Sequence, residues 1–389
     1  MHADRSTPVG GVCDARFAPV RKAFAGNFAQ HDEIGAAVTL FVDGRKVVDL
    51  WGGWADRART RPWAEDTLVN FYSVGKAITA TCVLLMVQRG LLDLDSSVGR
   101  WWPEFGASGK GAITLRQLMS HRGGLPSVRA PLPADAMLDW RRMTEALEAQ
   151  APWWTPGDNH GYHVNTFGYL LGEPVRRVTG KSLGTVLRDE IAEPLGADVY
   201  IGLPRSEHGR VADFLHPQRA APATDAPPVR PIPPSTMAHE QLMRACAYSN
   251  PTGISGGPQV VNTEAWRLAE IPSTNGHGTA RGVARIYGAL LEGFLDRDLL
   301  GEATSEHSHG HDLILERPSR FGLGYQLTQE ERPLGPNPRA FGHFGAGGSL
   351  GFCDPDAGVA FAYLMNDMGP RWQNPRNGAL IKAIYECLG

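Results

Sequence analysis

Apolar positions change texture twice along the chain. Residues 36–42 (Ala-Ala-Val-Thr-Leu-Phe-Val) and 46–51 (Lys-Val-Val-Asp-Leu-Trp) are dense in β-branched and aromatic types on either side of Asp43-Gly44, so they predict a hairpin closed by a tight turn. Residues 16–30 before them have helical spacing. From Ser73 the period becomes 3.6, running through Lys76, Ala80, Val83, Leu84 and Val87, and residues 114–120, 135–150, 166–178 and 183–191 repeat it. Strand-like runs return at 321–327, 340–352 and 359–366, and residues 378–387 close with a helix pattern. Residues 205–234 are rich in proline with little apolar period, and read as a long irregular surface loop able to shape a substrate cleft.

Strand-plus-helix texture at both ends around a helical middle predicts an α/β (α+β) fold. One antiparallel sheet would be assembled from both chain ends and flanked by the N- and C-terminal helices, with a mostly helical domain inserted. The expected division is 1–72 with 278–389 for the sheet domain and 73–277 for the helical one, the active site lying at their junction. No internal repeat is visible. A chain of 389 residues, 42% hydrophobic and 20% charged, can bury a large core, and a net charge of −3 argues against nucleic-acid or membrane-surface partners. No apolar run follows Met1-His2-Ala3-Asp4-Arg5 and no stretch of 18 apolar residues occurs, so neither a signal peptide nor a membrane span is expected and the reading is cytoplasmic. Cys13, Cys82, Cys246, Cys353 and Cys387 are odd in number and scattered, as reduced thiols are.

Chemistry concentrates first at Ser73-Val74-Gly75-Lys76, where a serine at a helix start stands one turn before a lysine on the same face. Free N–H groups and the positive helix end surround such a serine, and an ammonium pressed against an apolar helix loses hydration and basicity, which suits proton exchange with the hydroxyl. Seventeen serines and six lysines would produce the spacing about 0.26 times by chance, so alone it is also compatible with a capping serine and a surface lysine. Tyr162 falls on a loop before the helix predicted at 166, where a phenol projects into a cleft or packs at a helix start. Phe341-Gly342-His343-Phe344-Gly345-Ala346-Gly347-Gly348-Ser349 holds so many glycines that something must approach its backbone, either a ligand along the edge or close packing. Two competing motifs carry less weight. Gly347-Gly348-Ser349-Leu350-Gly351 matches G-x-S-x-G, but no helix pattern follows the serine. His307-Ser308-His309-Gly310-His311-Asp312 is like the H-x-H-x-D-H metal motif with its last two residues exchanged, and no distant histidine cluster completes it. Neither a metal nor a cofactor is expected.

The order Ser73-x-x-Lys76, then Tyr162, then His343-Phe344-Gly345 resembles the serine β-lactamase and penicillin-binding protein superfamily, most closely the family VIII carboxylesterases of its class C-like branch. Residues 113–125, 162–172 and 275–282 support the resemblance, which spans nearly the whole chain. It implies a β-lactamase/transpeptidase-like fold, Ser73 as acylated nucleophile, Lys76 assisting proton transfer and Tyr162 as general base and acid, with the choice of base left open. It also implies an oxyanion hole from the backbone N–H groups of Ser73 and Ala346. His343-Phe344-Gly345 stands where β-lactamases have Lys-Thr-Gly, so His343, Phe344 and Gly345 would contact substrate, with Trp153 as a wall. Asn165 stands one position later than the family's Tyr-x-Asn would put it. A neutral histidine and a phenylalanine favour an uncharged small ester over a carboxylated lactam. The expected function is therefore hydrolysis of small, mostly apolar esters. The alternatives are a β-lactamase or amide hydrolase and, from another class, a penicillin-binding module that acylates without turnover.

Overall fold

In the computed structural model, residues 9–217, 237–250, 257 and 260–389 are described. Strands in chain order are β1 (Val9–Cys13), β2 (Gly35–Val42), β3 (Arg45–Gly53), β4 (Val69–Asn70), β5 (Val199–Tyr200), β6 (His277–Gly278), β7 (Ser308–Asp312), β8 (Arg317–Phe321), β9 (Gln326–Leu327), β10 (Phe341–Phe344), β11 (Leu350–Asp354) and β12 (Val359–Met365). Nine of them form one antiparallel sheet in the order β1-β3-β2-β12-β11-β10-β9-β8-β7, and β4-β6-β5 make a small second sheet. The large sheet thus draws its strands from both chain ends, and β12 joins the two sets by pairing with β2. Asp43 and Gly44 both hold positive φ, 48° and 73°, which is what a two-residue hairpin turn with right-handed twist demands.

All seven residues of β12 are buried because helices cover both faces of the sheet. Alternation puts Ala360, Ala362 and Leu364 toward the Ala280–Leu291 helix, whose Gly288 lies close to the Ala360 Cβ. The next side chain out of phase, Tyr363, faces the other way and bonds Glu33, which pairs with Arg376 of the Pro375–Leu388 helix. The Ala18–Gln30 helix packs beside that C-terminal helix. The Val74–Gln88 helix is buried from Val74 to Met86, with the Thr166–Thr179 helix against it. No described helix is long and apolar enough to cross a membrane.

Several elements differ from expectation for local reasons. The run 340–352 is two strands, because Gly347 and Gly348 take φ of 87° and 126° and break the chain between β10 and β11. Residues 308–312, where no element was expected, are an edge strand with Ser308 and Asp312 inward and His309 and His311 exposed. The expected helix over 135–150 is a short 3₁₀ turn followed by Trp140–Ala149. Of the proline-rich stretch, Arg205–Arg210 forms a 3₁₀ helix, while 218–234 lie outside the described residues.

Candidate active site

Between β4 and the Val74–Gln88 helix the chain turns at Phe71-Tyr72. Tyr72 holds φ of 51°, a left-handed conformation that a tyrosine adopts only under constraint. From Thr67 to Met86 every residue is buried except Ser73. An N-cap serine ordinarily spends its hydroxyl on first-turn amides, yet Ser73 makes no capping bond. Its Oγ lies 3.2 Å from Lys76 Nζ instead.

Lys76 is fully buried and donates to two carbonyls, Val164 O at 2.7 Å and Ser273 O at 3.0 Å. Loss of hydration pushes its pKa well below that of a free lysine, and no carboxylate is among its hydrogen-bond partners to hold the ammonium. A neutral amine has two N–H groups and one lone pair. In that neutral form, with the two carbonyls taking the N–H groups, the lone pair would face the Ser73 hydroxyl.

Tyr162 approaches from the other side. Lys76 Nζ lies 4.7 Å from its ring centre, and the ring stacks on Phe321 at 5.9 Å and 10°. Burial pushes the phenol's pKa up, with the neighbouring Ser73 hydroxyl opposing the shift, so the phenol keeps its proton. Its backbone is fixed by Asp312, whose Oδ1 accepts the N–H groups of Tyr162, Ile314 and Leu315 while Oδ2 accepts the Ser319 hydroxyl. Next along the chain, His163 Nδ1 donates to Gly161 O, its Nε2 accepts from Leu125 N–H, and its own N–H donates to His121 Nδ1. Burial lowers both imidazoles, His163 to about 3, so they brace the loop as neutral groups. Asp312, His121 and His163 are site-building residues that the sequence did not single out. Asp312 stood in an apparent metal motif, and only the strand register shows that it points inward.

The glycines of residues 342–348 are explained by protein packing rather than by a ligand on the edge. A Cβ on Gly345 would sit 2.4 Å from Phe71 O, and those on Gly342 and Gly348 would strike β11 and Asn374. This lets the end of β10 close on the Ser73 turn. The N–H groups of Ser73 and Ala346 are left there without an acceptor among the described residues.

Other expected contacts change. His343 is fully buried, its Nδ1 bonded to Phe344 O and its pKa lowered by burial, so it stands behind Tyr162 rather than facing substrate. Gly345 is closed over by Phe71, and of these three residues Phe344 alone lines a cleft. Asn165 spends its amide on Ala247 O and the Thr274 hydroxyl, tying a helix to a loop. Trp153 is buried with its indole N–H on Ser127 O, sharing an apolar cluster with Tyr162, Met243, Ala247, Ile314 and Phe321. Ser349 is buried ahead of β11 with no helix behind it. Among the described residues no three metal-binding side chains converge.

Comparison with known proteins places the chain and its fold. The β-lactamase family model matches residues 20–386. The chain is 38% identical over 373 residues to the esterase/β-lactamase LipL of Mycobacterium tuberculosis, covering 93% of this chain and 84% of that one. A family VIII carboxylesterase crystal structure superposes with a TM-score of 0.88 at 39% identity, over 98% of this chain and 100% of the other. A penicillin-binding protein homologue from Caulobacter crescentus gives 0.86 at 40%, again over 98% and 100%.

Proposed function

The chain belongs to the β-lactamase family and is a serine ester hydrolase, and from that premise we propose that its acyl-enzyme forms on Ser73. The observation that carries this is that Ser73 alone breaks a buried run of residues, with its hydroxyl on the amine of a desolvated lysine. Neutral Lys76 takes the Ser73 proton as Oγ attacks the ester carbonyl, and the Ser73 and Ala346 N–H groups receive the developing oxyanion. The protonated Tyr162 phenol then gives its proton to the departing alkoxide and recovers one from the Lys76 ammonium. Water attacks the acyl-enzyme by the same route in reverse.

The apolar cluster around Tyr162 favours a small acyl group without polar substituents at that end. A slow lactamase activity is a second reading, favoured by the double description of the Mycobacterium relative. We place the protein in the cytoplasm, a reading supported by five unpaired thiols. Incubation with a p-nitrophenyl ester should add one acyl mass to the wild type and none to Ser73→Ala, which should lose turnover by about 10³-fold or more. An acylated, active Ser73→Ala would overturn the assignment.

A further inference from the structure

Two residues before Tyr162 on the same loop, His160 is buried and its Nε2 lies 2.9 Å from the Ser319 hydroxyl oxygen. Ser319 has one hydroxyl hydrogen, and Asp312 Oδ2 accepts it at 2.9 Å. The hydrogen between His160 and Ser319 must therefore be the imidazole's, which fixes the neutral ring as the Nε2–H tautomer. Burial lowers the pKa of His160, Asp312 opposing the shift and Arg122, His309 and His311 adding to it, so the ring is an uncharged donor at neutral pH. Asp312 Oδ1 accepts the Tyr162 N–H at 3.0 Å, and His160 O accepts the Leu313 N–H at 3.2 Å. The result is a closed circuit of hydrogen bonds, from the His160 ring through Ser319 and Asp312 back to the Tyr162 backbone. Every hydrogen in it points toward the Asp312 carboxylate, so each bond polarises the next. Alternation along β8 turns Ser319 and Phe321 to one side, and a single strand thus supplies both the middle hydroxyl of the circuit and the ring stacked on Tyr162. His309 and His311 of β7 are turned outward and take no part.

We propose that His160 is a positioning residue for Tyr162, acting through Ser319 and Asp312 to hold the phenol where it protonates the departing alkoxide. The proposal rests on the reading of Tyr162 as that acid and deepens it. A phenol carried by a loop is only as well placed as the loop, and a misplacement of about 1 Å caused far from the chemistry costs up to about 10²-fold. The Phe321 stack holds the ring independently of the circuit, so loss of His160 or Ser319 weakens the acid without abolishing it.

The test compares ethyl butyrate with p-nitrophenyl butyrate, which form the same acyl-enzyme but differ in the leaving group. Ethoxide needs a proton to depart and p-nitrophenolate does not, so the ratio of their kcat/KM values reads the acid alone. Tyr162→Phe should lower this ratio most. His160→Leu and Ser319→Ala should each lower it about tenfold while keeping most of the activity on the p-nitrophenyl ester. His160→Gln and Ser319→Thr, which keep the N–H donor and the hydroxyl, should lower it less, and His311→Gln, on the outward face of β7, not at all. A loss of folded protein scales both esters together and leaves the ratio unmoved. Nitrogen-proton NMR correlation spectra of the wild type, which need no variant to fold, should show His160 as the Nε2–H tautomer. An Nδ1–H tautomer, a ratio unchanged in either His160→Leu or Ser319→Ala, or equal losses in His160→Leu and His160→Gln overturns the positioning role. A ratio unchanged in Tyr162→Phe overturns instead the reading of Tyr162 as the acid.

Discussion

A buried lysine that hydrogen-bonds two carbonyls and meets no acid is less basic than a free one, and in the proposed mechanism this favours Lys76 over Tyr162 as the base. Lys76→Arg keeps a positive charge but removes the lone pair, because a guanidinium does not deprotonate in a protein. It should cost about 10²–10⁴-fold in kcat, the usual range for a lost general base. If Lys76 acted only through its charge on Tyr162, the arginine would retain much of the rate, and steady-state kinetics separates the two. The pH profile gives an independent check. Activity is lost as pH falls through the depressed pKa of Lys76, so the acid limb of kcat/KM should lie well under the 10.5 of a free lysine. Spacing and chain order singled out Ser73, Lys76 and Tyr162, and the structure brings these three side chains together. Asp312 was not, since its role consists of three backbone N–H groups that only folding gathers. His343 was misplaced because its strand is buried on both faces, and alternation then says nothing about which side reaches the cleft.

At the scale of elements, the meeting of β10 with the Ser73 turn is what, in the proposed mechanism, would assemble two backbone donors from distant parts of the chain. Gly345→Ala would place a methyl 2.4 Å from Phe71 O, and neither partner is a flexible side chain that could yield. The strand end must retreat, taking the Ala346 N–H away from the position of the oxyanion. Removal of one such donor is worth about 10²–10³-fold in kcat, so the variant should lose about that much turnover with a smaller change in KM. An unchanged kcat in the folded variant would show that Ala346 is not a donor. The glycines themselves were conspicuous in the sequence, and the need for close approach was correctly inferred from them. What approaches could not be read, because Phe71 lies far away in the chain and sequence periodicity is blind to such contacts. The same limit turned one expected strand into two, since positive φ at Gly347 and Gly348 answers to Met365, Met368 and Asn374 rather than to neighbours in sequence.

For the molecule as a whole, a sheet shared between the two chain ends was readable from the hairpin, the late strands and the terminal helices. Its rims were not, because β1 and β7 are only five residues each, the first interrupted by two glycines and the second polar, so neither carries an apolar strand pattern. Joining two ends of a chain calls for a clamp, and Arg376 supplies one at the start of the last helix. It donates to His31 O twice, to Asp367 O, and to the carboxylates of Glu33 and Asp367 at 3.2 and 3.1 Å. Arg376→Met would leave Glu33 buried without its cation, a loss worth about 3–5 kcal/mol of stability. Burial raises Glu33 to about 7, above the 4.5 of a free glutamate, with Arg376 and Tyr363 opposing the shift. The folded state therefore holds this proton more tightly than the unfolded one. The stability Glu33 contributes is full below about pH 4.5 and is lost as pH rises through about 7. Without Arg376 the ionised form loses the largest of the effects that offset its burial and keeps chiefly the Tyr363 hydroxyl, so the deficit of Arg376→Met, measured by urea denaturation, should be larger at pH 8 than at pH 5. An equal deficit at both would mean that Asp367 and the carbonyls, not Glu33, are the partners that make this arginine hold the two ends together.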